Sequence, residues 1–170
     1  MGFISPILDS QWVYQLLTVP TKNGKWQICV DYRELIKVIL KDHFPLPFID
    51  QVLDTLAEKK FFSFLDGFSG YNQIQIDLED QYKTTFTFPW GTFAYRVLPF
   101  CLCNTPATFQ SEILGIFSDL INDSVEIYMD DFTRYGDSFE EGLENLEKVL
   151  KICIQKHVSL STIKFHMMME

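Results

Sequence analysis

Positive charge is scarce in this sequence. There are 14 Lys and Arg against 23 Asp and Glu, giving a formal net charge of −9 and a pI near 4.7. Proteins that grip phosphate backbones normally present a Lys/Arg-rich surface. This balance therefore counts against nucleic-acid binding by the chain alone, unless metal ions or further segments supply positive charge. No apolar run approaches the ~18 residues of a membrane-spanning helix, so no membrane partner is expected. The start lacks the basic and apolar regions of a secretory signal. Met1-Gly2 is followed by Pro6 where a myristoylation site needs Ser or Thr. The cysteines are few (Cys29, Cys101, Cys103 and Cys153), contain no CxxC pair, and find no zinc pattern with His43, His157 and His166. Inert buried thiols are the expectation for Cys101 and Cys103. The sequon at Asn122 is idle without a secretory signal. An intracellular, reducing setting follows, cytoplasm or nucleus. Linkers, internal repeats and low-complexity tracts are missing too.

What is present is core material: 47% hydrophobic and 15% aromatic residues, with 16 Phe in 170 positions, enough for one domain or slightly more. Residues 12–19 predict an edge strand. Asn23-Gly24 predicts a hairpin turn into a return strand over 26–32. Lys22, Lys25 and Arg33 cluster there, as either a solvated turn or a basic flap over phosphates. Residues 33–40 are ambiguous. Helical spacing of Ile49, Val52, Leu53 and Leu56 predicts a helix over about 47–58, with Pro47 in its first turn. The short run Phe61–Asp66 predicts a strand buried on both faces. Residues 73–77 alternate as a further strand, 79–81 form a polar turn, and 84–88 with 92–95 form a hairpin. Residues 98–104 form a loop. Thr105-Pro106 starts a helix over about 106–121. A capping box at Ser138 and Glu141 opens another helix over about 139–156, and 158–160 begins a last strand. Mixed strands and helices with antiparallel hairpins define an α+β class.

Two acidic features carry chemistry. Asp66 ends a buried strand. Asp130 and Asp131 sit between an alternating arm, Val125 to Tyr128, and a second β-forming arm, Phe132 to Tyr135, and so fall at a hairpin tip. Alone, an Asp-Asp pair reads more readily as a solvated acidic turn than as a metal site. If the two strands are neighbours, three carboxylates converge. An oxygen-only donor set suits two Mg²⁺ ions, with Mn²⁺ as an alternative, rather than zinc. Such ions activate a 3′-hydroxyl and stabilise departing pyrophosphate.

Seven stretches in order then carry a resemblance: Cys29-Val30-Asp31-Tyr32-Arg33-Glu34-Leu35, residues 41–50, residues 64–74, Lys83-Thr84-Thr85-Phe86-Thr87, residues 91–96, Pro106-Ala107-Thr108-Phe109-Gln110 and Tyr128-Met129-Asp130-Asp131. The sequence resembles the fingers and palm of a reverse transcriptase from a Gypsy-type long-terminal-repeat retrotransposon. The resemblance implies a right-hand polymerase palm, an antiparallel sheet backed by helices. Residues 1–45 and about 78–105 would be fingers-like, with about 46–77 and 106–170 as palm. It implies RNA-directed DNA polymerase activity with a primed RNA or DNA template and dNTP as partners. Asp66, Asp130 and Asp131 match the catalytic metal-binding triad. Lys22, Lys25, Arg33, Gly67, Phe68, Tyr71 and Phe100 match nucleotide-binding positions, Tyr71 as the gate against a 2′-hydroxyl. Asn104, Pro106, Gln110, Tyr128, Met129 and Lys164 match template and primer positions.

There are departures. Gln27 stands where the family has an Arg packing on the nucleotide, Ile36 where it has Asn, and Cys101 where it has Gly. The primer-grip region, residues 161–166, is matched only loosely. No thumb, connection or RNase H segment is expected in this sequence, so the remainder of a Pol polyprotein (thumb, RNase H, integrase) is an implied partner. Two readings stand: a two-metal RNA-directed DNA polymerase fragment, and an inactive, decayed copy that retains the palm. A viral RNA-directed RNA polymerase is a third, opposed by Tyr71.

Overall fold

The computed structural model describes residues 2–21, 24–121 and 123–169. Lys22 and the Asn23 of the predicted turn lie outside them. The chain divides into two compact units, one of Met1–Asp42 with Tyr71–Thr105, the other of His43–Gly70 with Pro106–Glu170.

The first unit is a five-stranded sheet. Its strands are β1 (Ile4–Pro6), β2 (Tyr14–Pro20), β3 (Trp26–Val30), β5 (Phe86–Phe88) and β6 (Gly91–Tyr95), in the order β1-β6-β5-β2-β3. All neighbours are antiparallel except β2 and β5, which run parallel. Tyr14, Val30, Tyr32, Leu35, Phe86 and Leu102 form its core, and Tyr32 satisfies its buried hydroxyl by donating to the Thr84 carbonyl at 2.8 Å. The ambiguous residues after β3 form a short helix, α1 (Arg33–Val38). Residues 73–77 are not a strand. Gly70–Gln73 is a 3₁₀ turn, and beyond it only Gln75 bridges to Val97, with Ile76 N–H donating to the Arg96 carbonyl. The polar turn tightens into the single-turn helix α3 (Leu78–Gln81). Cys101 is not a free thiol: it is disulfide-bonded to Cys29 of β3, while Cys103 is exposed.

The second unit is a four-stranded sheet in the order β7-β8-β4-β9, built from β4 (Phe61–Asp66), β7 (Val125–Tyr128), β8 (Asp131–Gly136) and β9 (His166–Met169). Three helices accompany it: α2 (Ile49–Ala57), α4 (Thr105–Ile116) and α5 (Phe139–Lys156). Pro47 stands outside α2, which starts after an extended Phe48. The chain beyond Ile116 becomes turns, so α4 is shorter than its apolar spacing suggests. α5 opens as expected: the Ser138 hydroxyl accepts from Glu141 N–H at 3.2 Å, though the Glu141 carboxylate returns to Asp137 N–H rather than to Ser138. The last strand begins at His166; Leu160 makes only an isolated bridge to Gly67.

Alternation along β4 divides its side chains. Ser63 and Leu65 face a core with Phe109, Ile113, Phe117, Val125, Ile127, Phe132, Leu146 and Val149, while Phe64 is 41% exposed. β4 is thus buried on one face rather than two: on the other, Phe62 is only half-buried and Phe64 is exposed. Where α5 leaves β8 the backbones nearly touch. A Cβ on Gly136 would lie 2.6 Å from the Gly142 nitrogen, so position 136 requires glycine.

One core residue violates the pattern. Arg134 lies on the core face of β8, paired with Val125 and Ser63, and is 1% exposed. None of its three guanidinium nitrogens has a hydrogen-bond partner among the described residues. Burial brings the guanidinium down to about 10, only partly offset by Tyr135, Asp123 and Glu141. Glu126, the next residue along from Val125, is also buried, with Oε1 unpartnered among the described residues and its carboxyl pushed above the ordinary glutamate range by burial.

Candidate active site

The register of the second unit brings the acids together. Asp66, the last residue of β4, is the Cα partner of Asp131, the first residue of β8. Tyr128 pairs with the same Asp131, so Met129 and Asp130 form a two-residue turn. Paired residues of neighbouring strands point to one face. Asp66 and Asp131 therefore project together, with Asp130 beside them in the turn.

Several contacts fix this turn. Met129 has φ +56°, a left-handed conformation that costs a non-glycine residue about 1 kcal/mol. Gln110 of α4 holds it there. This fully buried side chain accepts from Met129 N–H at 2.8 Å and donates to the Ile127 carbonyl at 3.2 Å. Gly67 N–H donates to the Asp130 carbonyl at 2.7 Å, tying the turn to the end of β4. A Cβ on Gly70 would stand 3.0 Å from the Phe109 ring and 3.2 Å from the Asp130 Cβ, so a larger residue would push the hairpin away.

The electrostatics follow from this crowding. Asp131 is pushed above the ordinary aspartate range, by burial first and then by the neighbouring charges of Asp130 and Asp66. The compensating cation is Lys164. Its ammonium stands 2.7 Å from Asp66 Oδ1, and the Asp66 side chain is only 9% exposed. Asp66 raises the lysine's affinity for its proton, with Asp130 and Asp131 adding to the effect. The segment bearing Lys164 is laced to the end of β4. Phe68 N–H donates to the Ser159 carbonyl at 2.9 Å, Ser161 N–H donates to the Asp66 carbonyl at 2.7 Å, and His166 pairs with Phe64.

The donor chemistry of Asp66, Asp130 and Asp131, oxygen only, fits a hard divalent cation. The cation on Asp66 in this arrangement is the Lys164 ammonium. Among the described residues no three His, Cys, Asp or Glu side chains are placed to hold a metal ion.

Other expected site residues occupy different stations. Gln110, expected beside a template, is buried and braces the hairpin instead. Lys164, expected at a primer, pairs with Asp66. Tyr128 is half-buried in β7, Pro106 lies in the first turn of α4, and Phe68 is exposed. In the first unit Tyr71 and Phe100 form a tilted ring pair with centroids 5.9 Å apart. Asn104 uses its amide locally, donating to the Leu40 carbonyl and accepting from Asp42 N–H. Arg33 is held by Asp31 through two hydrogen bonds, which lower the Asp31 carboxyl; Lys25 is exposed. The brace of Gln110 carries no sequence signal beyond a polar residue on the apolar face of a helix.

A four-stranded antiparallel sheet carrying paired acids at a two-residue turn, with helices packed on its core face, is the palm of a template-directed polymerase. The chain matches the native structure of the prototype foamy virus protease-reverse transcriptase with a TM-score of 0.85 and 27% identity, covering 98% of this chain and 22% of that one. It is 37% identical over 157 residues to the retrovirus-related Pol polyprotein from transposon 412 of Drosophila melanogaster, covering 89% of this chain and 13% of the polyprotein. It is also 37% identical over 126 residues to an RNA-directed DNA polymerase homolog of Oenothera berteroana, covering 72% of this chain and 89% of the homolog. Residues 19–170 match the family described as reverse transcriptase (RNA-dependent DNA polymerase), and the chain belongs to that family.

Among the described residues no helix is long and apolar enough to cross a membrane.

Proposed function

We propose that this chain is the nucleotidyl-transfer portion of a retrotransposon RNA-directed DNA polymerase, which extends a primer 3′-hydroxyl with dNTP on an RNA or DNA template. The observation that carries this reading is the in-register pairing of Asp66 with Asp131 beside Asp130, in a chain of this family. Asp66, Asp130 and Asp131 would hold Mg²⁺, two ions in the full site, with Mn²⁺ able to substitute. Bound there, such ions lower the barrier to attack by a hydroxyl and neutralise charge on departing pyrophosphate. The chain's own residues do the rest. Gln110 and Gly67 hold the hairpin backbone at Met129 and Asp130, which presets where the turn carries its acids. Tyr71 would exclude a 2′-hydroxyl, with Phe100 packed on its ring. Gly67 and Phe68 would line the nucleotide, and Lys22, Lys25 and Arg33 would contact its phosphates. Asn104, Pro106, Tyr128 and Met129 are proposed for the template and primer strands. Fingers and palm would correspond to the first and second units. The remainder of a Pol polyprotein would complete the enzyme, since the chain spans 13% of the transposon 412 polyprotein.

The test is extension of a DNA primer on an RNA template by the purified chain with Mg²⁺ or Mn²⁺, with Asp130→Asn as control. Absence of extension, or extension insensitive to Asp130→Asn, removes the enzyme reading for this polypeptide. A second reading, a decayed copy that folds without turnover, is favoured by one observation: the guanidinium of Arg134 in the palm core, which has no hydrogen-bond partner among the described residues.

A further inference from the structure

The cation in the acidic site is supplied by the protein itself. Asp66 and Asp131 are paired at the β4–β8 edge with the charge of Asp130 nearby, and the one that is almost fully buried, Asp66, already has an ammonium 2.7 Å from Oδ1. Charge at such a place needs a partner, because an isolated buried carboxylate is strongly disfavoured. A divalent ion would bind the same carboxylate at about 2.0–2.1 Å. An ammonium on that carboxylate and a divalent ion beside it repel at a few ångströms, so the two cannot both occupy Asp66 without a large penalty.

The backbone around Lys164 makes the arrangement specific. Ser161 N–H on one side and the His166–Phe64 pair on the other fasten the 3₁₀ turn Thr162–Lys164 along β4. The lysine is therefore delivered to Asp66 by main-chain hydrogen bonds rather than by a freely moving loop. Its side chain is nevertheless 65% exposed. Rotation about its aliphatic bonds can therefore carry the ammonium off Asp66 with no strand broken.

We propose that Lys164 is a built-in counter-ion that competes with the divalent metal for Asp66, so that metal entry requires its ammonium to swing away. This rests on the reading of Asp66, Asp130 and Asp131 as metal ligands. A charge-assisted contact of this kind shifts a competing equilibrium by roughly ten-fold or more. The occupied site thus binds metal less tightly than its three carboxylates alone would.

The test is Mn²⁺ binding to the purified chain, followed by loss of the free-ion paramagnetic resonance signal, for wild type, Lys164→Met and Lys164→Arg. Circular dichroism confirms that each is folded, and Lys164→Arg keeps the charge. Mn²⁺ should bind Lys164→Met roughly ten-fold more tightly than wild type, while Lys164→Arg stays near wild type. Equal or weaker binding by folded Lys164→Met, with binding still sensitive to Asp130→Asn, overturns the competition alone. If the methionine variant unfolds, Lys164→Gln takes its place: tighter Mn²⁺ binding than wild type supports the competition, and equal or weaker binding overturns it. Failure of every variant to bind Mn²⁺ overturns the metal reading of the triad and the competition with it.

Discussion

Replacing Arg134 with Met should stabilise this protein. The guanidinium is 1% exposed and its three nitrogens have no partner among the described residues, while its neighbours on the same face of the sheet are Leu65, Ile127 and Phe132. Burial takes the group from the ordinary guanidinium range down to about 10. At 1.36 kcal/mol per unit, that corresponds to about 3 kcal/mol by which the folded state disfavours the charge. Buried ionic groups replaced by apolar residues of similar volume gain about 1–4 kcal/mol, which agrees. Met preserves the unbranched stem and leaves no large cavity. The expected gain is about 2–3 kcal/mol, a rise in melting temperature on the order of 5–10 °C for a chain of this size. Urea and thermal unfolding at pH 7, followed by circular dichroism, measure it. The pH dependence supplies a second check. The folded-state value is depressed, so the penalty is complete below about pH 10 and is relieved as pH rises through the folded value towards the unfolded one. The difference between variant and wild type should therefore narrow from pH 7 to pH 10.5, with other titrations common to both proteins. An Arg134→Met protein equal to or less stable than wild type at pH 7 would show that the guanidinium is satisfied and the account wrong.

Other consequences are open to measurement. Gln110→Met keeps the volume but leaves Met129 N–H and the Ile127 carbonyl without their buried partner; stability should fall by about 1–3 kcal/mol, and Mn²⁺ affinity should fall with it as the turn loosens. Glu126 is raised in the folded state, so its stabilisation is complete below the ordinary glutamate value of about 4.3 and is lost as pH climbs through the folded value. Glu126→Gln should remove that slope and leave a protein more stable by about 1 kcal/mol at pH 7, read from urea midpoints between pH 4 and 7. The Cys29–Cys101 link closes 72 residues, so reduction or Cys29→Ser should cost about 2–5 kcal/mol; alkylation followed by mass spectrometry should find only Cys103 reactive before reduction.

Pattern made much of this architecture legible, and chemistry sets where it stopped. Alternation over Val125 to Tyr128 and the β-forming arm after Asp131 gave the hairpin, since period two is what a half-buried strand demands. Thr105-Pro106 and Ser138 marked helix starts for reasons internal to each helix. Residues 73–77 alternate equally well, yet they bond to residues 96–98 at isolated points, because long-range partners decide whether alternation becomes a strand. β4 read as doubly buried because a short apolar run does not say whether a second layer exists. The convergence of Asp66 with Asp131 could be posed but not decided locally, since register is a tertiary quantity. Lys164 on Asp66 and Gln110 beneath Met129 are pairings across 98 and 19 residues, with no periodic trace. Arg134 was visible in principle: the alternation that puts Phe132 inside also puts Arg134 inside.

The two-residue turn at Met129-Asp130 has a consequence for how this gene can change. Because Asp66 faces Asp131 through a register set by that turn, gain or loss of a single codon between Tyr128 and Phe132 would shift β8 by one residue against β4 or invert its faces. Phe132 would turn outward and an acid would enter the core. Base substitutions can erode this site one contact at a time, whereas one in-frame insertion or deletion in the hairpin would remove it in a single event.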